Sequence, residues 1–156
     1  MLAFEQPQAP SLRVARRADL AAIHSIETKE LERLAYPYFV LRQLFELHGT
    51  EWIVAEDKGR VCGYVLTAIT THDTAWFVGF AVARSCTGRG YGRALLETSL
   101  AICHDAHVDQ VFVTAYPGNR IAYHLYKEVG FVWADHEIDY FGPDEPRDIL
   151  VHRLYH

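Results

Sequence analysis

A cluster of three glycines is the part of this sequence that most clearly suggests chemistry. Gly88, Gly90 and Gly92 lie in the segment 87–93, which follows an apolar run and precedes a helical pattern. Because glycine has no side chain, its backbone N–H group can approach a ligand closely. The first turn of a helix adds unpaired N–H donors and partial positive charge. The nearby cations are Arg84, Arg89 and Arg93. We therefore predict a site for phosphate or diphosphate groups.

Two familiar phosphate-binding loops do not fit this segment. A Walker loop requires Gly-Lys followed by Ser or Thr, and the segment 87–93 contains no lysine. The Rossmann fingerprint G-x-G-x-x-G requires a glycine where this chain has Arg93. The glycine loop is therefore expected to serve another phosphate-bearing ligand.

The hydrophobic pattern around the loop predicts the elements that position it. Helical spacing over 20–31 and 39–47 is followed by a hairpin pattern over 52–69. The next strand contains Gly79, which suggests a β-bulge or a close backbone approach. After the glycine loop come a helix, an apolar strand over 110–116 and a helix that Asn119 can cap. The order β-α-α-β-β-β-α-β-α-β-β predicts an α/β fold in which a mixed sheet carries helices on both faces.

Length and composition limit what the protein can be. The 156 residues fit one domain, which we assign to 11–156 after a flexible lead-in over 1–10. A net charge of −5 argues against non-specific nucleic-acid binding, and no apolar stretch reaches the ~18 residues of a membrane span. The sequence has three cysteines, no C-x-x-C motif, scattered histidines and no secretory signal. These features favour a cytoplasmic protein without a disulfide framework or a metal site. Monomer and homodimer both stay open.

The glycine segment and a second motif downstream resemble the GNAT superfamily of acyl-CoA-dependent N-acetyltransferases. The family's cofactor motif is Q/R-x-x-G-x-G/A, and here it reads Thr87-Gly88-Arg89-Gly90-Tyr91-Gly92, with Thr in the first position. The second motif reads Asn119-x-x-Ala122-x-x-Leu125-Tyr126-x-x-x-Gly130-Phe131. The resemblance covers roughly residues 12–154. It implies a predominantly antiparallel sheet with splayed central strands, and acetyl-CoA as the cofactor.

The resemblance also assigns residues to the cofactor. It implies that one strand pairs its backbone with the pantetheine arm, that the glycine loop holds the diphosphate, and that Tyr126 lies beside the thioester sulfur. The implied cofactor-binding residues are Phe80, Ala81, Val82, Gly88, Arg89, Gly90, Tyr91, Gly92, Arg93, Asn119 and Tyr126.

Within the superfamily, the chain looks most like protein N-terminal acetyltransferases of the ribosomal-protein-alanine type. The likeness rests on Tyr36-Pro37-Tyr38-Phe39, on Tyr140-Phe141 and on Asp148-Ile149-Leu150-Val151. Those enzymes often carry a Glu five residues before the motif Asn, where this chain has Thr114. The residues expected to contact the acceptor are Tyr36, Tyr38, Phe39, Thr114 and Tyr140.

The implied reaction is attack of a neutral amine on a thioester. An α-amine, with a pKa near 8, is partly neutral at pH 7, whereas a Lys amine, with a pKa near 10.4, is almost fully charged. A site without an obvious carboxylate base therefore suits an α-amine better. An ordered water, Glu27, Glu30 or His72 could accept the proton, the Val82 N–H could stabilise the oxyanion, and Tyr126 could protonate the thiolate. Of these we take Glu30, Val82 and Tyr126 as the predicted catalytic residues.

Three functions remain open at this point. The chain could acetylate a peptide N-terminus or protein amine, acetylate a small amine such as a polyamine, amino sugar or amino acid, or sense acyl-CoA without turnover.

Overall fold

Seven strands and four helices follow one another in the predicted order within the part of the chain that the computed structural model describes, residues 10–71 and 73–155. The strands are β1 (Ser11–Val14), β2 (Ile53–Asp57), β3 (Arg60–Ile69), β4 (Thr74–Val82), β5 (Gln110–Ala115), β6 (Val132–Glu137) and β7 (Arg147–Arg153). The helices are α1 (Leu20–Leu31), α2 (Tyr38–His48), α3 (Tyr91–Asp105) and α4 (Arg120–Glu128). Apart from residue 10, the lead-in predicted over 1–10 lies outside the described residues.

The strands form one sheet in the order β1-β2-β3-β4-β5-β7-β6. Neighbouring strands are antiparallel except for β4 and β5, which are parallel. Parallel neighbours need a crossover connection, and here α3 provides it. The predicted mixed and mostly antiparallel sheet is therefore confirmed.

Helices cover both faces of this sheet and bury an apolar layer on each. On β2, Val54 faces the layer of α1 and α2, whereas Ile53 and Ala55 face the layer of α3 and α4, as the alternation of strand side chains requires. Double coverage explains why the middle of β3 is buried at seven consecutive positions. Within residues 10–71 and 73–155, no helix is both long and apolar enough to cross a membrane.

Candidate active site

The centre of the sheet opens where the parallel strands β4 and β5 separate. Their pairing stops at Phe77, and β4 then continues to Val82 with no strand pairing on that side among the described residues. Val78 falls out of register between Phe77 and Gly79 against β3, and such a bulge bends its strand. A Cβ on Gly79 would lie 2.7 Å from Leu66 Cδ1, so a larger residue here would have to displace the buried Leu66 side chain. The bulge predicted at Gly79 is confirmed, and it lies where the strands diverge.

The end of β4 turns backbone groups toward this opening. The Ala83 N–H donates to the Cys62 carbonyl oxygen (2.7 Å), which makes this a hydrogen-bonded pair at the end of the β3–β4 ladder. Hydrogen-bonded and non-hydrogen-bonded pairs alternate along an antiparallel ladder. Phe80 and Val82 therefore direct their N–H and C=O groups away from β3. The Val82 N–H, which the sequence predicted as an oxyanion donor, faces the opening.

A cavity of about 240 Å³ lies in the wedge between the two strands, and we call it the central cavity. Predicted site residues in its wall are Tyr36, Phe80, Thr114, Asn119 and Tyr126. Phe141, part of the Tyr140-Phe141 pair noted in the sequence, also lines it, and wall residues that the sequence did not point to include Val78, Tyr116 and Arg147. None of the described residues that line it is Asp, Glu or His. The wedge is therefore largely apolar, with hydroxyl, amide and guanidinium groups at a few points.

Tyr126 is buried in the wall of the central cavity among aromatic rings. Its ring centroid lies 5.8 Å from that of Phe80 and 5.8 Å from that of Phe131. Burial raises the pKa of Tyr126, so the hydroxyl keeps its proton at neutral pH. The Asn119 side chain accepts a hydrogen bond from the Ala122 N–H (3.2 Å) and so caps the helix that carries Tyr126, as predicted. A protonated hydroxyl at this place can act as a proton donor.

The glycine loop borders a second cavity of about 820 Å³, which we call the loop groove. Gly88 and Gly90 adopt φ angles of +76° and +85°, which L side chains rarely adopt. The first backbone bond of α3 joins the Ala94 N–H to the Gly90 carbonyl oxygen (3.1 Å). Among the described residues, no backbone carbonyl accepts from the amides of residues 88–93 outside the helix ladder. These amides can therefore donate to an anion in the groove.

Two side chains of the loop serve the fold instead of the groove. The Arg89 guanidinium bonds both carboxylate oxygens of Asp57 (3.0 and 3.2 Å) and lies over the ring of Tyr91. The Tyr91 hydroxyl also donates to Asp57 (3.3 Å). Arg89 holds the pKa of Asp57 below its usual range. Arg89 and Tyr91 thus tie the loop to the end of β2, and neither side chain lines the groove.

Of the cations near the glycine loop in the sequence, Arg93 lines the loop groove, and it pairs with Glu97 (2.8 Å). The opposite wall is one face of α4, which the sequence analysis did not assign to the site. Its members are Arg120, Ile121, His124, Leu125 and Glu128. Their spacings of three and four residues could have revealed this wall in the sequence, because side chains at those spacings lie on one face of a helix. His124 lies in this wall with its side chain 74% exposed.

The buried carboxylate of Glu27 holds Tyr36 in the wall of the central cavity. Glu27 is fully buried and accepts from the Tyr36 backbone N–H (2.9 Å) and the Tyr64 hydroxyl (2.6 Å). The Tyr36 hydroxyl in turn donates to the carbonyl oxygen of Val78, at the bulge (2.7 Å). Burial raises the pKa of Glu27. Both of its oxygens are engaged and it does not line the cavity, so Glu27 fixes Tyr36 and does not face an acceptor.

Several predicted residues lie away from both cavities. The Glu30 carboxylate is 3.8 Å from Arg84 Nε and lines neither cavity, which disfavours its predicted role as base. Tyr38 and Phe39 are 44% and 70% exposed at the start of α2. Tyr140 packs its ring on Phe141, which lines the central cavity in its place. Residue spacing in the sequence does not show which face of a helix is turned outward or which loop residue faces the cavity, so it could not predict these positions.

One predicted residue and the metal-ligating types of side chain are left to place. His72, one of the predicted base candidates, lies outside the described residues. In the ranges 10–71 and 73–155, no three His, Cys, Asp or Glu side chains gather into a group that could hold a metal ion.

Comparison with protein families agrees with this geometry. The family model described as acetyltransferase (GNAT) family matches residues 18–131. An uncharacterized N-acetyltransferase of Methanocaldococcus jannaschii is 34% identical over 51% of this chain, a match that spans half the length of that relative. An N-alpha-acetyltransferase of Sulfurisphaera tokodaii is 27% identical over 77% of this chain and 78% of its own length.

Solved structures show the same fold at low sequence identity. Ard1 from Thermoplasma volcanium superimposes with a TM-score of 0.88 at 19% identity, covering 96% of this chain and all of that one. The NatC complex bound to Gag peptide and CoA contains a chain with a TM-score of 0.86 at 17% identity, covering 95% of this chain and all of that one.

Proposed function

The chain belongs to the acetyltransferase (GNAT) family, and from that premise we propose that it transfers an acetyl group from acetyl-CoA to the α-amine of a peptide or protein N-terminus. The observation that carries the proposal is the divergence of β4 from β5 after Phe77, which places a cavity, a free strand edge and the glycine loop along one strand. N-alpha-acetyltransferase relatives and neighbours with CoA bound support the same activity.

Acetyl-CoA fits the two cavities taken together. The amides of residues 88–93 and the Arg93 guanidinium would hold the diphosphate in the loop groove. The outward-facing backbone of Phe80 and Val82 would pair with the pantetheine amides, as an added strand does. This path leads along β4 from the loop groove to Phe80, whose ring packs on Tyr126 in the central cavity. The acyl end would therefore reach the wedge between the strands.

Two groups of this chain would carry the chemistry. The acceptor nitrogen forms a bond to the acyl carbon while the bond from that carbon to sulfur breaks. The Phe80 N–H, which faces the opening at the central cavity, would donate to the acyl oxygen as it gains negative charge, whereas Val82, the predicted donor, lines the loop groove. The buried Tyr126 hydroxyl would give its proton to the departing thiolate. The proton that the acceptor amine loses would pass to water, since the described wall of the cavity offers no carboxylate or imidazole.

The absence of a carboxylate or imidazole in that wall favours an α-amine over a lysine side chain. About one α-amine in ten is neutral at pH 7, against fewer than one ε-amine in a thousand. An α-amine therefore needs little help from an enzyme base. A cavity without carboxylates among its described wall residues also offers no counter-charge for a polyamine.

Thiol release from acetyl-CoA tests the proposal. Purified protein is incubated with acetyl-CoA and short peptides with free N-termini, the same peptides with blocked N-termini and an internal lysine, and a polyamine and an amino sugar. We expect turnover on free N-termini only, with the added acetyl group located on the α-amine by mass spectrometry. Turnover confined to small amines would replace the peptide proposal. Calorimetric binding of CoA without any turnover would indicate an acyl-CoA sensor.

A further inference from the structure

The central cavity contains one formal charge among its described wall residues, and that charge is Arg147. Arg147 is the first residue of β7. Its guanidinium carbon lies 5.2 Å from the ring centroid of Tyr116 and 4.9 Å from that of Phe141, and both rings also line the cavity. The side chain is only 11% exposed. The aromatic rings therefore hold a mostly buried cation at the acceptor side of the wedge.

The hydrogen bonds of Arg147 leave part of the guanidinium unused. Nη1 donates to the Pro146 carbonyl oxygen (2.7 Å) and to the Glu145 carboxylate (3.3 Å). Nε and Nη2 have no hydrogen-bond partner among residues 10–71 and 73–155, and neither is a fully buried, unsatisfied atom. A guanidinium has five N–H donors in a planar fork, so three of them stay available. A planar pair of donors matches a carboxylate.

Glu145 does not neutralise this cation. Its carboxylate also pairs with Arg33, so two guanidinium groups share one carboxylate and the cluster carries a net charge of +1. Glu145 does not line the central cavity, whereas Arg147 does. An acceptor in the cavity therefore meets the positive charge and not its counter-ion.

We propose that Arg147 is a specificity-determining residue that selects acceptors carrying a carboxylate close to the reacting amine. This inference rests on the proposed acetyl transfer and names the class of acceptor. A mostly desolvated cation with free donors attracts an anion strongly and repels a second cation. The cavity of about 240 Å³ is smaller than the roughly 300–1,000 Å³ of a typical ligand pocket. It admits only the end of an acceptor, so the carboxylate belongs to the first or second residue of a peptide, or to a free amino acid.

A purely structural role for Arg147 makes a different prediction. If the guanidinium only clamps Tyr116 to Phe141, its loss lowers stability and activity toward every acceptor by the same factor. Selection of an anion instead changes the ratio between acidic and neutral acceptors. That ratio is measured within one protein preparation, so it does not depend on how much of a variant is folded.

Matched acceptors test this ratio. The peptide pairs begin Ser-Glu against Ser-Gln and Asp-Ala against Asn-Ala, and a free amino acid is compared with its amide. The proteins are wild type, Arg147→Gln, Arg147→Lys and the control Arg33→Gln. Arg33 contacts the same carboxylate but is 74% exposed and does not line the cavity. The readout is kcat/KM from thiol release, and the amine pKa of each acceptor cancels when the variants are compared.

We expect wild type to prefer acidic peptides over their amides by roughly ten- to a hundredfold, the size of a charged hydrogen bond. Arg33→Gln leaves Glu145 to Arg147 alone, so its preference should be smaller than that of wild type but still well above one. Arg147→Gln should bring the ratio close to one, and Arg147→Lys should retain part of it. Equal ratios in wild type and Arg147→Gln overturn the inference while leaving peptide acetylation in place. A ratio that appears only with free amino acids upholds the role of Arg147 and removes the peptide proposal. Failure of every carboxylate-bearing acceptor to react overturns the inference.

Discussion

Among single residues, the Tyr126 hydroxyl is the proton donor that the proposed reaction requires. We expect Tyr126→Phe to lower kcat roughly 100-fold, the usual range for loss of a general acid, with little change in the KM for acetyl-CoA. Phe keeps the ring that packs on Phe80 and Phe131, so the fold should persist. Steady-state kinetics of thiol release measure both constants. Tyr123→Phe is the matched control, because that hydroxyl lies on the same helix but donates to Asp148 (3.0 Å). An unchanged kcat in Tyr126→Phe would remove the residue from the mechanism.

The acceptor amine must lose a proton in the proposed reaction, and the pH dependence of the rate shows which group takes it. With no carboxylate or imidazole in the described wall of the central cavity, kcat/KM for a peptide should rise with pH until the α-amine is neutral, near pH 8. Glu30→Gln should leave this profile within about twofold of wild type, because Glu30 lies beside Arg84 and away from the cavity. The measurement is a pH series with both proteins. Arg84→Gln, which breaks the same ion pair, controls for indirect effects. A loss beyond tenfold confined to Glu30→Gln would restore the predicted base.

At the scale of elements, local signals in the sequence predict the strands and helices, and long-range packing decides the site. Periodicity, the glycine loop and the Asn119 cap were enough for the element order and for one wall of the loop groove. Arg147 gives no such signal, because its neighbours Tyr116 and Arg33 are distant in the chain. The exposure of Tyr38 likewise depends on which face α2 turns outward. The motifs predict the loop groove, whereas the central cavity is lined by residues from segments that lie far apart in the chain.

The bulge in β4 is the element that opens the sheet, and Gly79 makes it possible. Gly79→Ala should lower the free energy of unfolding by roughly 1–3 kcal/mol, the usual cost of overpacking, because the new Cβ would meet Leu66 Cδ1 at 2.7 Å. Chemical denaturation measures the loss. In a Leu66→Ala background the same substitution should cost clearly less, because the clashing side chain is gone. Equal costs in both backgrounds would show that this contact does not fix the bulge.

For the molecule as a whole, the family and the fold class were predictable because the glycine-loop motif and the Asn119–Phe131 motif carry the family's residue types in the right order and spacing. The predicted GNAT family and mixed sheet are confirmed. The helix predicted from residue 20 begins at Leu20, and Asp19 occupies its N-cap position without capping it through the side chain. Its carboxylate bonds Arg13 (2.7 and 2.8 Å) and the Arg16 N–H (2.7 Å) instead of a helix amide. Sequence spacing cannot reveal this, because β1 must first pair with β2 to bring Arg13 against the helix.

This Arg13–Asp19 pair joins three elements and should govern acid stability. Arg13 also bonds Glu56 on β2 (2.7 Å), so one guanidinium links β1, β2 and the start of α1. The bond from Arg13 holds the pKa of Asp19 below its usual range. A depressed folded-state pKa contributes stability above the unfolded pKa, near 3.9, and that stability is lost as pH falls through the folded value.

Asp19→Asn should therefore lower the free energy of unfolding by about 2 kcal/mol at pH 7, and the difference from wild type should shrink toward pH 2. Urea denaturation across this range measures it, with the exposed Asp105→Asn as control. A difference that stays constant with pH would mean that the charge of Asp19 does not stabilise the fold.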